Sequence, residues 1–262
     1  MDKQKRFNQI SKDIKSIKIQ GARNIAKAAF YAYKLKPTTK SKQKLISLRP
    51  TEPMLINILN RADELSHQEI LNHIDKSQQI INKEVLKLIK SNPIIFTHCH
   101  STAVVQALIN AKNRGKKFEV YNTETRPLYQ GRKTARELKK AGIKITSFID
   151  AAAGIALEKT DIIFFGSDAI LKKGVINKIG SGMFSKIAKS NKIPIYILAN
   201  SWKYFPKNIK IEQRDFDEVW KNAPKNIKIK NPSFELIKRK YITGIISEFG
   251  NLSYGQFLKK VK

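Results

Sequence analysis

Two short apolar runs in this chain each lead into a residue type that can do acid–base chemistry. The run 94–96 is followed by Cys99, and the run 162–165 is followed by Asp168. Open parallel sheets place their ligand crevices at the carboxyl ends of their strands. Two buried strands at these positions would bring a thiol and a carboxyl to one cleft, and the rest of the chain would have to hold them there.

Cys99 can be interpreted in two ways. A lone cysteine beside an isoleucine-rich strand is usually a buried small hydrophobic side chain. A position between a strand and the next helix favours a reactive thiol instead, because a helix N-terminus stabilises the thiolate and lowers the thiol pKa. His98 and His100 flank Cys99 and either tune it or are solvated. No zinc site is expected, since His67 and His73 lie far away in the sequence and there is no second cysteine.

Asp168 also has two interpretations. It is either a turn or helix cap or, in an apolar site, a proton donor with a raised pKa. Polar residues follow other apolar runs as well: the loop 123–131 follows one, Asn177 and Lys178 follow a tight turn, and Lys203 follows the last long run. We therefore expect four strand ends to present polar side chains in one layer.

Composition narrows the class of protein. The formal net charge is +30, and 41 of the 51 basic residues are lysine. Because nucleic-acid readers rely on arginine, this lysine coat is better explained as a solvated surface that draws anionic substrates inward than as a nucleic-acid site. One cysteine excludes an intrachain disulfide, no secretory leader is apparent, and no apolar run approaches about 18 residues. We expect a cytoplasmic protein without a membrane segment.

The apolar spacing changes near residue 91. Residues 1–90 have helical spacing and predict an N-terminal helical domain, including a small-residue helix after Gly21 whose first-turn N–H groups could hold phosphate. Residues 91–262 alternate short apolar runs with helical segments, which predicts a Rossmann-like α/β domain with a parallel sheet and helices on both faces. The predicted strands are 94–97, 118–121, 143–148, 162–165 and 193–199, with weaker runs at 234–237 and 242–246, and the predicted helices are 101–113, 130–140, 151–158 and 178–190.

Several motifs occur together and in order. They are Ile19-Gln20-Gly21-Ala22-Arg23, Leu48-Arg49-Pro50-Thr51, Thr97-His98-Cys99-His100-Ser101, Thr123-Glu124-Thr125-Arg126-Pro127 with Gln130-Gly131, Gly166-Ser167-Asp168, Val175-Ile176-Asn177-Lys178-Ile179-Gly180 and Trp202-Lys203-Tyr204. With these motifs the sequence resembles, over nearly its whole length, the family that joins ribose 1,5-bisphosphate isomerase, methylthioribose 1-phosphate isomerase and the regulatory α, β and δ subunits of translation initiation factor 2B.

The resemblance implies an enzyme of the isomerase branch. That branch uses a catalytic cysteine and aspartate, which match Cys99 and Asp168, whereas the regulatory subunits usually lack the pair. The short helical part and the segment 168–178 resemble the ribose bisphosphate isomerases most. The family's phosphate and sugar contacts would fall on Gly21, Ala22, Arg23, Arg49, Asn177, Lys178 and Lys203.

These expectations describe an aldose–ketose isomerase that converts ribose 1,5-bisphosphate to ribulose 1,5-bisphosphate in nucleotide-ribose salvage. Asp168 would act as the acid and the Cys99 thiolate as the base, with neither a metal nor a cofactor. The expected partners are a phosphorylated sugar and further copies of the chain, in a dimer or hexamer. A nucleotide activator is a further candidate.

Two alternatives stay open: a methylthioribose 1-phosphate isomerase, and a non-catalytic regulatory subunit like those of initiation factor 2B. Nucleic-acid binding ranks third. Gln20 departs from the family pattern, because the isomerases tend to have arginine there, and the helical part is shorter than in the usual relatives. Both departures put the substrate in question more than the type of reaction.

Overall fold

Five helices precede the first strand of the protein, as the helical spacing predicts. The structure is a computed structural model and describes residues 2–209, 211 and 213–261. The five helices are α1 (Lys3–Lys15), α2 (Ala22–Leu35), α3 (Thr39–Leu48), α4 (Pro53–Asn60) and α5 (His67–Leu88).

Helix α5 is the longest of these helices and takes part in two hydrophobic cores. A capping box starts it: the Ser66 hydroxyl accepts the Glu69 N–H, and the Glu69 carboxylate accepts the Ser66 N–H. Ile70, in the first part of α5, packs among the apolar side chains of α1, α2 and α4. Val85, in the last part, packs against the sheet that follows. The same helix therefore stabilises both parts of the chain.

The chain after α5 forms a seven-stranded sheet. Its strands are β1 (Ile94–Thr97), β2 (Glu119–Thr123), β3 (Lys144–Phe148), β4 (Ile162–Phe165), β7 (Ile195–Leu198), β9 (Gly244–Ser247) and β10 (Gly250–Leu252). Their spatial order is β10-β9-β7-β4-β1-β2-β3, and all neighbouring strands are parallel except β9 and β10. The α/β fold predicted from the sequence is confirmed.

Alternation along the central strands covers both faces of this sheet. Ile95 and Phe164 belong to one core, with α5, α6 and α7, whereas Phe96 and Ile163 belong to the other, with α8, α9 and α10. Side chains of successive strand residues point to opposite faces, so both faces are apolar and both are covered by helices. The five helices in this part of the chain are α6 (Thr102–Asn113), α7 (Gln130–Lys140), α8 (Ala153–Glu158), α9 (Ser181–Ser190) and α10 (Tyr254–Lys260).

A small antiparallel sheet stands beside the large one. It contains β5 (Ala169–Leu171), β6 (Gly174–Lys178) and β8 (Phe234–Lys238), in the order β5-β6-β8. The predicted helix 178–190 is therefore wrong at its start, because Asn177 and Lys178 pair with Glu235 and Phe234 of β8 and the helix begins only at Ser181. The Lys172-Lys173-Gly174 turn between β5 and β6 is confirmed.

The predicted boundary near residue 91 lies in the loop between α5 and β1. The division into domains 1–90 and 91–262 stays a prediction, because the shared helix α5 spans the two cores. Within residues 2–209, 211 and 213–261, no helix combines the length and apolar character that crossing a lipid bilayer requires.

We expect one cooperative unfolding transition, because α5 contributes side chains to both cores. Val85 is fully buried in the sheet core, so Val85→Ala should cost roughly 1–3 kcal/mol and lower the midpoint of that single transition without splitting it. Differential scanning calorimetry of parent and variant measures this. Two resolved transitions, of which the substitution moves only one, would contradict the shared core.

Candidate active site

All nine predicted site residues line one cavity at the carboxyl ends of β1 and β4. Cys99 comes two residues after β1 and Asp168 three residues after β4, and the two strands are neighbours in the sheet. The cavity wall contains Cys99, Asp168, Gly21, Ala22, Arg23, Arg49, Asn177, Lys178 and Lys203. Residues that are up to 182 positions apart in the chain therefore meet at one place.

Two threonine hydroxyls hold the backbone of Cys99. Its φ is +66°, a left-handed conformation that side-chain-bearing residues rarely adopt. The Cys99 N–H donates to Thr125 Oγ1 at 3.0 Å, and the Cys99 carbonyl accepts from Thr134 Oγ1 at 2.8 Å. Both peptide groups of the cysteine are thus fixed by side chains from the region after β2, and the thiol is directed by them rather than by a helix.

The pKa of the Cys99 thiol is raised to about 11, mainly because burial disfavours the thiolate. The Lys178 charge opposes this increase, whereas the Asp168 charge adds to it. The expectation of a lowered thiol pKa is therefore wrong. Helix α6 begins only at Thr102, with Ser101 as its N-cap, so the thiol lies before the helix and in a largely enclosed cavity.

His98 is a buried neutral imidazole. Its Nε2 lies 2.9 Å from the carbonyl of Ile179, which can only accept, so Nε2 carries the proton. Its Nδ1 then accepts from Thr123 Oγ1 at 2.5 Å. Burial lowers the pKa of His98 to about 4, and this keeps the ring uncharged at neutral pH. Of the two sequence interpretations for this residue, solvation is wrong.

His100 faces away from the sheet toward α7. Thr134 Oγ1 already donates to the Cys99 carbonyl, so at 3.1 Å it accepts from His100 Nδ1. Burial lowers the pKa of His100, and the Lys133 charge lowers it further. This histidine therefore helps to hold Thr134, which in turn holds Cys99.

The Asp168 charge acts on both the Cys99 thiol and the Lys203 ammonium. The Asp168 N–H donates to the Ile176 carbonyl at 2.9 Å, which joins the loop after β4 to β6. The Lys203 ammonium donates to the carbonyl of Ser167, and burial lowers the pKa of Lys203 while Asp168 and Glu52 oppose that change.

Gly166 allows the loop that carries Asp168 to approach the loop that carries Cys99. A Cβ at position 166 would lie 2.6 Å from Ser101 Cβ, well inside the closest approach of real side chains. Ser101 is also the N-cap of α6, where its hydroxyl accepts the Val104 N–H. The distance between the two candidate catalytic residues is thus set by the absence of a side chain at one position.

The start of α2 forms another part of the cavity wall. Gly21 has φ +82°, and Ala22 begins a helix of 14 residues with no side chain capping its first N–H groups. Arg23 Nη2 lies 2.6 Å from Asp75, and Arg49 is buried with Nη2 3.4 Å from Glu52. Backbone donors and two guanidinium groups thus occur together here, and each arginine already contacts a carboxylate.

The small sheet provides the third wall. Lys178 is buried, with Nζ 5.2 Å from the centre of the Phe234 ring. Asn177 donates to Ser181 Oγ at 2.9 Å, and Ser181 Oγ donates to the Lys178 carbonyl at 2.7 Å. Glu235 accepts the N–H groups of Gly180 and Gly182, so the start of α9 is occupied by a protein carboxylate.

Within the part of the chain that the structure describes, three buried serine hydroxyls in the cavity wall have no hydrogen-bond partner. They are Ser77 on α5, Ser167 beside Asp168 and Ser233 before β8, and each is less than 5% exposed. A buried hydroxyl without a partner costs free energy, so such groups are normally satisfied by water or a ligand. Their position in one wall indicates a site for a polar molecule.

Comparison with known proteins identifies the family of this chain. A match to the initiation factor 2 subunit family covers residues 18–254. The chain belongs to this family. It is 31% identical to the ribose 1,5-bisphosphate isomerase of Archaeoglobus fulgidus over 90% of this chain and 86% of that protein. It is 32% identical to the ribose 1,5-bisphosphate isomerase of Methanocaldococcus jannaschii over 90% of this chain and 88% of that one.

The fold of this chain also matches that of a solved structure. The translation initiation factor eIF-2B of Pyrococcus horikoshii OT3 superimposes with a TM-score of 0.86 at 28% identity, covering 96% of this chain and 98% of that chain. This chain therefore has the same fold as that solved structure.

Sequence reasoning missed one wall of the cavity in this family member. Arg214, Glu218 and Asn231 line it, and they come from a region whose apolar signal is weak. Arg214 Nε lies 3.1 Å from Glu218, and the Arg214 N–H donates to the Asn231 carbonyl at 3.0 Å. An arginine and a glutamate four residues apart were the only available signal, and that spacing also suits an ordinary surface pair.

Gly166→Ala should destabilise the protein by roughly 1–3 kcal/mol, because the new Cβ overlaps the Ser101 side chain. In a Ser101→Gly background the same substitution should cost clearly less, since the overlapping atoms are gone. Thermal unfolding of the parent, the two single variants and the double variant measures this coupling. An equal cost of Gly166→Ala in both backgrounds would show that the two loops are not in the described contact.

Proposed function

We propose that this protein is an aldose–ketose isomerase that converts ribose 1,5-bisphosphate to ribulose 1,5-bisphosphate. The observation that carries the proposal is that Cys99 and Asp168 line one cavity together with the first residues of α2 and with Arg49, Lys178 and Lys203. Two isomerases of that name are similar to the chain over nine-tenths of its length. The geometry and the family point to the same reaction.

The cavity suits a sugar with a phosphate at each end. The N–H groups at the start of α2, with Arg23 and Arg49, would bind one phosphate, because helix N-termini and guanidinium groups favour phosphate oxygens. Lys178 and Lys203 would bind the other, with Asn177 beside them. The serine hydroxyls without partners would hydrogen-bond the sugar hydroxyls. A bisphosphate would thus place its sugar carbons between the thiol and the carboxyl.

The reaction needs an acid and a base. The phosphate on the anomeric oxygen blocks ordinary opening to an aldehyde, so Asp168 would give its proton to the ring oxygen as the C1–O bond breaks. Cys99, as thiolate, would take the C2 proton to form an enol. Cys99 would then return that proton to C1 while Asp168 takes the proton of the C2 hydroxyl. Both groups end as they began, and the product is the ketose.

The raised pKa of Cys99 suits a base for a carbon-bound proton. Little thiolate forms in the free protein at neutral pH, but the thiolate that does form is strongly basic. The Lys178 charge favours that form. The reactive combination in this proposal is a protonated Asp168 with an ionised Cys99.

A non-catalytic regulatory subunit is the second candidate. The mostly protonated thiol and the similarity to a protein named initiation factor eIF-2B favour it. We also expect the chain to form a homo-oligomer, because Ile155 on α8 and Met183 on the neighbouring α9 are 63% and 49% exposed. Binding of the bisphosphate with no turnover would select the regulatory role.

Purified protein incubated with α-ribose 1,5-bisphosphate should form ribulose 1,5-bisphosphate. Cys99→Ser and Asp168→Asn should each lower kcat by about 100-fold or more, because each removes one proton-transfer group. Product formation is measured by phosphorus NMR or by a coupled assay. Methylthioribose 1-phosphate, tested in parallel, should react at least about 100-fold more slowly, because it lacks the second phosphate for one end of the cavity.

His67→Gln is a matched control for these substitutions, because His67 is exposed on α5 and does not line the cavity. It should leave turnover unchanged. Turnover of Cys99→Ser and Asp168→Asn within a few-fold of the parent would refute the assigned roles.

The two groups should also differ in their pH dependence. In Asp168→Asn, the residual kcat/KM should rise about tenfold per pH unit from neutral pH upward, because only the thiolate fraction of Cys99 still changes below its pKa of about 11. The parent should rise less steeply, because its reaction also uses a proton from the acid group at position 168, and a higher pH works against that proton. Equal slopes for kcat/KM in parent and variant would contradict the proposed acid–base mechanism.

A further inference from the structure

His98 is a deeply buried titratable group of the site, and the proposed reaction gives it no part. Its side chain is 2% exposed and packs edge-on against Phe184 at 5.0 Å between ring centres. A buried histidine is often only a core residue. Here, however, both ring nitrogens are hydrogen-bonded, one to Thr123 at the end of β2 and the other to Ile179 directly after β6.

The Nε2–H of His98 forms a hydrogen bond with the loop after β6. It donates at 2.9 Å to the carbonyl of Ile179, the residue that follows Lys178. His98 is itself the residue before Cys99. One imidazole therefore connects the neighbour of the thiol to the neighbour of the ammonium, although these residues are about 80 positions apart in the chain.

The other ring nitrogen fixes the orientation of this connection. Nδ1 accepts from Thr123 Oγ1 at the end of β2, and Thr125 Oγ1, which holds the Cys99 N–H, lies 3.3 Å from the same nitrogen. A Cβ on Gly180 would lie 3.3 Å from Nε2, so the loop can pass this close because residue 180 is glycine. The ring is thus held from both sides.

We propose that His98 is a positioning residue that fixes the Lys178 ammonium relative to the Cys99 thiol. The strand β6 carries Lys178, and the His98–Ile179 hydrogen bond directly links a side chain after the end of β1 to the residue after the end of β6. Loss of this hydrogen bond would let the residues after Lys178 move away from the thiol, while the main chain of β1 stays paired in the sheet.

The charges that face the thiol make this position matter. Burial disfavours the thiolate most, the Lys178 charge favours it, and the charges of Asp168 and Asp150 disfavour it. Among these charged groups, Lys178 is thus the one that favours ionisation of the Cys99 thiol. A shift of Lys178 away from Cys99 leaves the hydrogen bond from the His100 N–H as the remaining group that opposes burial and the two carboxylates, so the thiolate becomes rarer.

Alkylation of the thiol tests the proposal without any substrate. Cys99 is the one cysteine of the chain, so the rate of its reaction with iodoacetamide reports on this site alone. The variants are His98→Gln, whose amide can replace Nε2–H, His98→Asn, whose amide replaces only Nδ1, and His98→Leu, which replaces neither. Rates are measured from about pH 8 to about pH 10, below the pKa of the thiol, where the rate follows the thiolate fraction.

His98→Leu and His98→Asn should react about 5- to 10-fold more slowly than the parent at each pH, as expected for a thiol pKa shifted upward by close to one unit. His98→Gln should stay within about threefold of the parent, because it keeps the link to Ile179. In a Lys178→Met background, His98→Leu should slow the reaction by no more than about twofold further, because the charge that His98 positions is gone. His67→Leu, an exposed position on α5, should leave the rate unchanged.

Three results would overturn the proposal: rates for His98→Leu within twofold of the parent, equal rates for His98→Gln and His98→Asn, or full additivity with Lys178→Met. If His98→Leu does not fold, as judged by thermal unfolding, the comparison of the glutamine and asparagine variants decides. The catalytic meaning of His98 rests on the function proposed above, but its link to Lys178 does not. Absent isomerase activity would refute the function and leave the alkylation result standing.

Discussion

The pairing of β1 with β4 is the constraint on which the site depends. Ile95 lies beside Ile162 and Phe96 beside Ile163, so two strands that are far apart in the chain run parallel and end at the same edge. From β1 the sheet continues through β2 and β3 in one direction, and from β4 through β7 and β9 in the other. The loops after β1 and β4 therefore diverge to opposite sides and leave a crevice between them. Cys99 and Asp168 are the side chains that these two loops contribute to it.

The site balances enclosure against ionisation. Burial makes His98 neutral, raises the pKa of the Cys99 thiol and lowers the pKa of Lys203. In each case the cavity disfavours the charged form, because an enclosed site solvates ions poorly. Neutral groups can be held by hydrogen bonds without the free-energy cost of burying a charge, as the threonine hydroxyls hold Cys99 and His98. The charges that remain have to be close and well placed to have an effect, which explains why so many polar contacts surround one thiol.

Much of this architecture follows from the order of apolar and polar residues. The strands β1 and β4 are short apolar runs without charge, and the polar residues directly after them had to meet if the runs paired in parallel, so both candidate catalytic residues could be found from the sequence. Local pattern failed where long-range pairing decides: Asn177 and Lys178 resemble a helix start until β8, more than 50 residues later, takes them into a sheet. The direction of the Cys99 pKa shift could not be predicted either, because it depends on enclosure by distant residues. Arg214 and Glu218 were missed because no apolar run marks their segment.

The shared helix α5 determines how a molecule can reach the cavity. The start of α2 and the ends of the sheet strands line the same cavity, as the two domains of an enzyme with a hinge motion would. Here, however, the first part of α5 packs in the helical core that includes α2, and its last part packs in the sheet core. Rigid-body opening would separate the continuous helix α5 from half of its packing partners. The free-energy cost would be far above that of moving a surface loop. Entry and release therefore depend on the segments at the cavity mouth, and a substitution there would change exchange rates while leaving the interior geometry as it is.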